Sequence, residues 1–142
     1  MNTPEYPTLT RLSDTDQTVA DARNDIRGRH VVDKDGERIG RVDALLVDDH
    51  DHKVRSFELT SGGFLGLGAV KFFIPIDVIT SISEDEVRID RTGKNVADAP
   101  PYDPALIQEP RYLVGAYGYY GIAPFWGAGY VPQDTPMRPV GE

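Results

Sequence analysis

The stretch Val31-Val32-Asp33-Lys34-Asp35-Gly36-Glu37-Arg38-Ile39-Gly40 decides the fold. Two β-branched residues run into a turn that ends on Asp35-Gly36, and Gly at that place supplies the positive φ of a tight hairpin. Ile39 then opens a returning run that lasts to Asp48, so these residues predict two strands joined as a hairpin. Gly40, inside the returning strand, predicts a bulge or a close approach of backbone.

The same grammar continues toward the carboxyl end. Asp49-His50-Asp51-His52 makes a second turn, after which Phe57 and Leu59 share one face of a strand and Ser56 and Glu58 the other. Beyond a Gly-rich stretch at 62–68, Val70, Phe72, Ile74, Ile76 and Val78 keep apolar residues at alternate positions across Pro75. Pro75 donates no ladder hydrogen bond, which places it at an edge, a bulge or a junction of two shorter strands. Residues 79–82 and then Val87 with Ile89 supply the last strands, around the turn Ser83-Glu84-Asp85-Glu86. Six short strands without long helices between them predict an all-β, antiparallel barrel over residues 26–91. Its expected core is Val31, Val42, Leu46, Phe57, Leu59, Phe72, Ile74, Ile76, Val87 and Ile89. Residues 1–25 read as a flexible polar extension with little core and a short helix around 19–23, and residues 92–142 as a linker and a largely disordered tail.

Several segments together resemble the PRC-barrel domain family: Asp25-Ile26-Arg27-Gly28, the run from Val32 to Asp43, Leu45-Leu46-Val47-Asp48, Phe73-Ile74-Pro75-Ile76-Asp77, and Val87-Arg88-Ile89-Asp90-Arg91. The resemblance implies a small six-stranded barrel that serves interaction and assembly and carries no catalytic residues. Gly36, Gly40, Pro75 and Asp77 fit the family pattern as turn and packing positions. The family includes the photosynthetic reaction centre H subunit and ribosome maturation factors. No membrane-spanning helix or large amino-terminal domain precedes the barrel in this sequence, so it looks closer to stand-alone bacterial barrels.

Composition narrows the function classes. Of 142 residues, 15 are Lys or Arg and 23 Asp or Glu, giving a net charge of −8. That balance opposes the attraction to phosphate on which general nucleic-acid binding depends. There is no cysteine, so disulfides, thiol nucleophiles and thiolate metal sites are excluded. With no basic-then-apolar leader at the start, a cytoplasmic location is expected.

The chemistry-bearing clusters read as turns. Asp48-Asp49-His50-Asp51-His52 gathers possible metal ligands within five residues, but one local cluster does not make the closed four-ligand shell of a structural zinc site. His30 reads as a strand residue, not a third ligand. Asp33-Lys34-Asp35-Gly36 has Gly fourth where a calcium loop needs it sixth, and the Gly-rich 62–68 stretch lacks the Lys-Ser/Thr ending of a phosphate loop. No Gly-x-Ser-x-Gly elbow occurs. The expectation is a non-enzymatic binding module without cofactor or metal.

The tail stands apart. Residues 112–133 carry no charge, five Gly, two Pro and seven aromatics, among them Tyr112, Tyr117, Tyr119, Tyr120, Phe125 and Trp126. Interrupted by Gly and Pro, the segment does not read as a membrane-spanning helix. It reads first as a disordered, adhesive, partner-binding segment, second as one folded back on the barrel, and third as membrane-interfacial. The expected contact surface is Phe64, Leu65 and Leu67 in the Gly-rich loop with Tyr117, Tyr119, Tyr120, Phe125 and Trp126 in the tail. Its partner is expected to be a protein or a second copy; the alternative is a peripheral membrane or photosynthetic-complex component. On this reading, truncation after Asp103 leaves the barrel's stability nearly unchanged.

Overall fold

The computed structural model describes residues 9–15, 18–19, 25–49, 52–62, 69–107, 109–126 and 140–141. Strands β1 (Leu9–Arg11), β2 (Thr18–Val19), β3 (His30–Val32), β4 (Arg38–Asp48), β5 (Val54–Gly62), β6 (Ala69–Pro75), β7 (Ile79–Ile82), β8 (Glu86–Ile89) and β9 (Val140–Gly141) are joined by helices α1 (Gly93–Ala97) and α2 (Pro110–Tyr120). Seven strands form one sheet in the order β6-β5-β4-β3-β8-β7, with β1 continuing beyond β3 along the same edge of β4. β2 and β9 form a separate antiparallel ribbon.

The sheet differs from the expected six-stranded antiparallel barrel in two ways. It is mixed, because β8 runs parallel to β3 with Val31 opposite Val87. It also curls without closing, since β6 and β7 stand at the two ends of the path. Both follow from the short 3-10 turn Ile76–Val78 that Pro75 introduces. A hairpin reverses the chain, but this turn carries it across from one edge to the other with its heading unchanged. β7 therefore runs with β6, and its hairpin partner β8 runs with β3. Pro75 does sit at the expected junction of two strands, on an edge where its missing N–H costs no ladder bond.

The first hairpin is clasped by one carboxylate. Gly36 has φ +86°, and the Asp33 Oδ1 accepts from the N–H groups of Asp35 and Glu37, both at 2.9 Å, while Oδ2 accepts from Gly93 at 2.9 Å. Asp33 thus ties the turn to the start of α1. Burial works against its charge, but the backbone bonds from Glu37, Gly93 and Asp35 outweigh this and hold its pKa below the ordinary value. A depressed folded pKa means stability that is complete above the unfolded value of about 3.9 and lost as pH falls through the folded one. Asp33→Asn, whose amide nitrogen cannot accept, is expected to cost about 1.5–3 kcal/mol at pH 7 and to flatten the acid limb below about pH 4. Urea midpoints from pH 7 to 2 check this; an unchanged acid limb counts against the clasp.

Two apolar clusters occupy the two faces of the sheet, where one core was expected. Inside the curl lie Val31, Val42, Leu45, Phe57, Leu59, Ile74, Ile76, Val78, Val87 and Ile89, joined by Leu12, Ile26, Val96 and Tyr120. On the outer face Leu9, Leu46 and Phe73 pack against Leu113, Ala116, Tyr117 and Phe125. Of the predicted core, Leu46 belongs to this outer cluster and Phe72 is only half-buried at the rim. The amino-terminal segment also contributes more than expected, since Leu9 and Leu12 are fully buried. Val19 is in strand, and the rest of the predicted 19–23 helix lies outside the described residues.

Candidate functional site

Part of the tail is placed differently from the disordered segment expected of it. Within 110–126 it is an ordered cover, with Pro110 in the first turn of α2 and Gly121 at φ +71° closing it. Leu113, Ala116, Tyr117 and Tyr120 are its buried residues, and the spacing i, i+3, i+4, i+7 is that of one helix face. Tyr117 packs edge-on against Phe73 and Trp126 at 6.0 and 5.3 Å between centroids, and its hydroxyl donates to the Arg55 carbonyl at 3.2 Å. Phe125 lies beneath the Arg55 guanidinium, 4.5 Å from the ring centroid. Tyr119, half-buried, donates to the Asn95 carbonyl at 2.5 Å. These aromatics hold the molecule together, so Tyr117, Tyr120 and Phe125 are not an exposed adhesive surface. Phe64, Leu65 and Leu67 lie outside the described residues.

A polar network beneath this cover was not apparent in the sequence. Glu58 is 0% exposed, and its carboxylate receives Arg11 Nε at 3.2 Å, Arg11 Nη2 at 3.0 Å and Tyr102 Oη at 2.5 Å. Lys71 Nζ lies 3.9 Å from Glu58 and pairs closely with Asp43. Burial disfavours the Arg11 charge, yet Glu58 outweighs it and raises the Arg11 pKa. Burial, then the bond to Glu58, pushes the Tyr102 phenol well above its usual range, so it stays a donor. The hydrogen bond from Lys71 lowers the Asp43 pKa. The network links β1, β4, β5, β6 and the chain at residue 102, and it reads as a clasp.

The exposed candidate is the rim where β4 begins, β5 ends and β6 starts. Gly40 is its pivot. A Cβ there would lie 2.5 Å from the Thr60 carbonyl oxygen and 2.7 Å from Leu59 Cδ2, so only Gly allows the strands to approach this closely. The pairing with β3 shifts register at this point. The extra residue of a bulge breaks the two-residue alternation, so Ile39 packs toward the inner core, Arg41, two residues on, is exposed on the outside, and Val42 returns to the core.

Two shallow depressions flank the pivot. One, of about 300 Å³, is lined by Ile39, Leu59, Phe72, Val96 and Ala97. The other, of about 490 Å³, is lined by His30, Arg38, Arg41, Asp43 and Thr60 with neighbouring glycines. Arg38 borders both. Beside them Val70 is 56% exposed on the edge strand β6. No group of three His, Asp or Glu among the described residues could hold a metal ion; His52 is exposed, and His50 lies outside the described residues. No described helix is long and apolar enough to cross a membrane.

A curled, mostly β sheet with two short helices defines the class as a small β domain. The PRC-barrel domain family matches residues 19–96, more than half of the chain, and the protein belongs to that family. No curated protein matches it.

Proposed function

We propose that this protein is a non-enzymatic protein-binding or assembly module that engages its partner through the rim beside β6, with the tail serving as structural cover. The observation that carries this reading is Val70, 56% exposed next to half-buried Phe72 and Ile39, on a strand that ends the sheet path. Apolar side chains grouped at an edge that has no further strand among the described residues favour contact with another chain. Phe64, Leu65 and Leu67 are tethered by sequence to Gly62 and Ala69 at this rim, which keeps them candidates. Trp126 packs edge-on against Tyr117 and Phe125, at 5.3 and 4.9 Å, which weighs against a membrane-interfacial role. With no cysteine, the chain needs no oxidising compartment, and the cytoplasm is the proposed setting.

Photo-crosslinking tests the rim directly. A photoreactive phenylalanine at Val70 is expected to give discrete protein adducts in cells, at least about tenfold above one at Thr80, an exposed residue on the opposite edge strand. Equal yields at both positions, or none at Val70, would remove the rim as the contact surface.

A further inference from the structure

Resting on that reading, we infer that the rim selects an extended, acidic peptide segment, one that sets an apolar residue beside a carboxylate. The bulge at Gly40 sets an apolar depression on the inner face and a polar one on the outer face at the same strand ends, with Ile39 and Phe72 in one and Arg41, His30 and Asp43 in the other. Strand register aligns the polar half: His30 is opposite Arg41, Arg41 opposite Thr60, and Thr60 opposite Lys71. Directly opposed residues share a face, so these side chains form one row across four strands.

The charges in and around that row are unequally occupied. Lys71 is engaged by Asp43, and Arg38 by Glu86 at 3.2 Å. Arg41 is exposed and makes no ion pair or side-chain hydrogen bond among the described residues. A guanidinium in this state matches a carboxylate in two-pronged geometry. The net charge of −8 does not reverse the preference, because fields from exposed groups are screened beyond about 8 Å at physiological ionic strength. A carboxylate docked here meets Arg41 first, while an acidic segment elsewhere on the surface is repelled. The apolar half supplies the neighbouring contact, and the alternation of an extended chain lets one ligand strand address both.

The probes are two hexapeptides, one alternating Leu with Glu and its twin with Lys in place of Glu, titrated into the isotope-labelled full chain by NMR. The Glu peptide is expected to shift the amides of His30, Arg41, Thr60 and Phe72 and to bind at least about tenfold tighter than its twin. Arg41→Gln should abolish that ratio and Arg41→Glu reverse it, with the rest of the spectrum unchanged. Equal binding of both peptides overturns the acidic selection and leaves the protein-binding reading intact. The same holds if neither peptide binds while Val70 still crosslinks. Failure of both experiments removes both readings. Shifts of equal size from inorganic phosphate alone would reduce the groove to a simple anion site and overturn the peptide assignment.

Discussion

Truncation after Asp103 is expected to destabilise the protein severely. The cut removes Leu113, Ala116, Tyr117, Tyr120 and Phe125, all buried, and uncovers Leu9, Leu46 and Phe73 on the outer face of the sheet. Burying one large apolar side chain contributes about 1.5–3 kcal/mol, so the loss exceeds roughly 5 kcal/mol, a large part of the 5–15 kcal/mol typical of a whole domain. For a chain of this size that corresponds to a fall in Tm of on the order of 15 °C or more. A point substitution asks the same question without deleting a segment. Tyr117→Ala should cost about 3–5 kcal/mol, whereas Tyr117→Phe, which keeps the ring and loses the bond to the Arg55 carbonyl, should cost about 1 kcal/mol. The only Trp in the chain packs on Tyr117, so its emission should move to the red in Tyr117→Ala. An unchanged Tm after truncation, with native Trp126 emission in Tyr117→Ala, would restore the disordered adhesive tail.

The second large effect is expected at Glu58. Removing one partner of a buried ion pair costs about 3–5 kcal/mol when the other is left buried. Arg11 and Lys71 keep side-chain exposures of 34% and 31% and can rehydrate, so Glu58→Ala should fall near the lower end, about 3 kcal/mol. Arg11→Met leaves the buried carboxylate with the Tyr102 hydrogen bond and with Lys71 3.9 Å away, and it should cost a similar amount. Replacing both residues should cost less than the sum of the single changes, because each removes the other's reason for being charged. Equilibrium unfolding of the four proteins decides this. Additive costs would mean that the two residues act independently, contrary to the geometry.

Val70 and Phe72 mark a limit of pattern reading. The alternation through Ile74 gives their facing correctly, but depth depends on how far the sheet curls over them. One is exposed and the other half-buried at the rim. Ile76 and Val78 kept the same period while belonging to a 3-10 turn, so periodicity there pointed to core residues without reporting the element. Helix α2 was legible and was missed: Pro110, the 113-116-117-120 spacing and Gly121 are ordinary start, face and stop signals, hidden by a composition rich in Gly and Tyr. The Glu58 clasp had no local signal, since its partners lie 47 and 44 residues away in sequence.

By itself the sequence determined the family, the hairpin at Asp33–Gly36, the close approach at Gly40, the junction at Pro75 and the inner-facing set of most strands. These are short-range matters, settled by the φ that Gly tolerates, the N–H that Pro lacks and the two-residue period of a strand. Tertiary structure alone decided that the sheet is mixed and open, because the heading of a chain after a turn depends on the turn's exit geometry. It alone buried Ser56 and Glu58 on the outer face of β5, because a face is dry only when another element covers it. It also divided the surface between cover and contact: the aromatics that composition made prominent pack inward on the sheet, while the bulge at Gly40 leaves Arg41 outside beside an apolar rim.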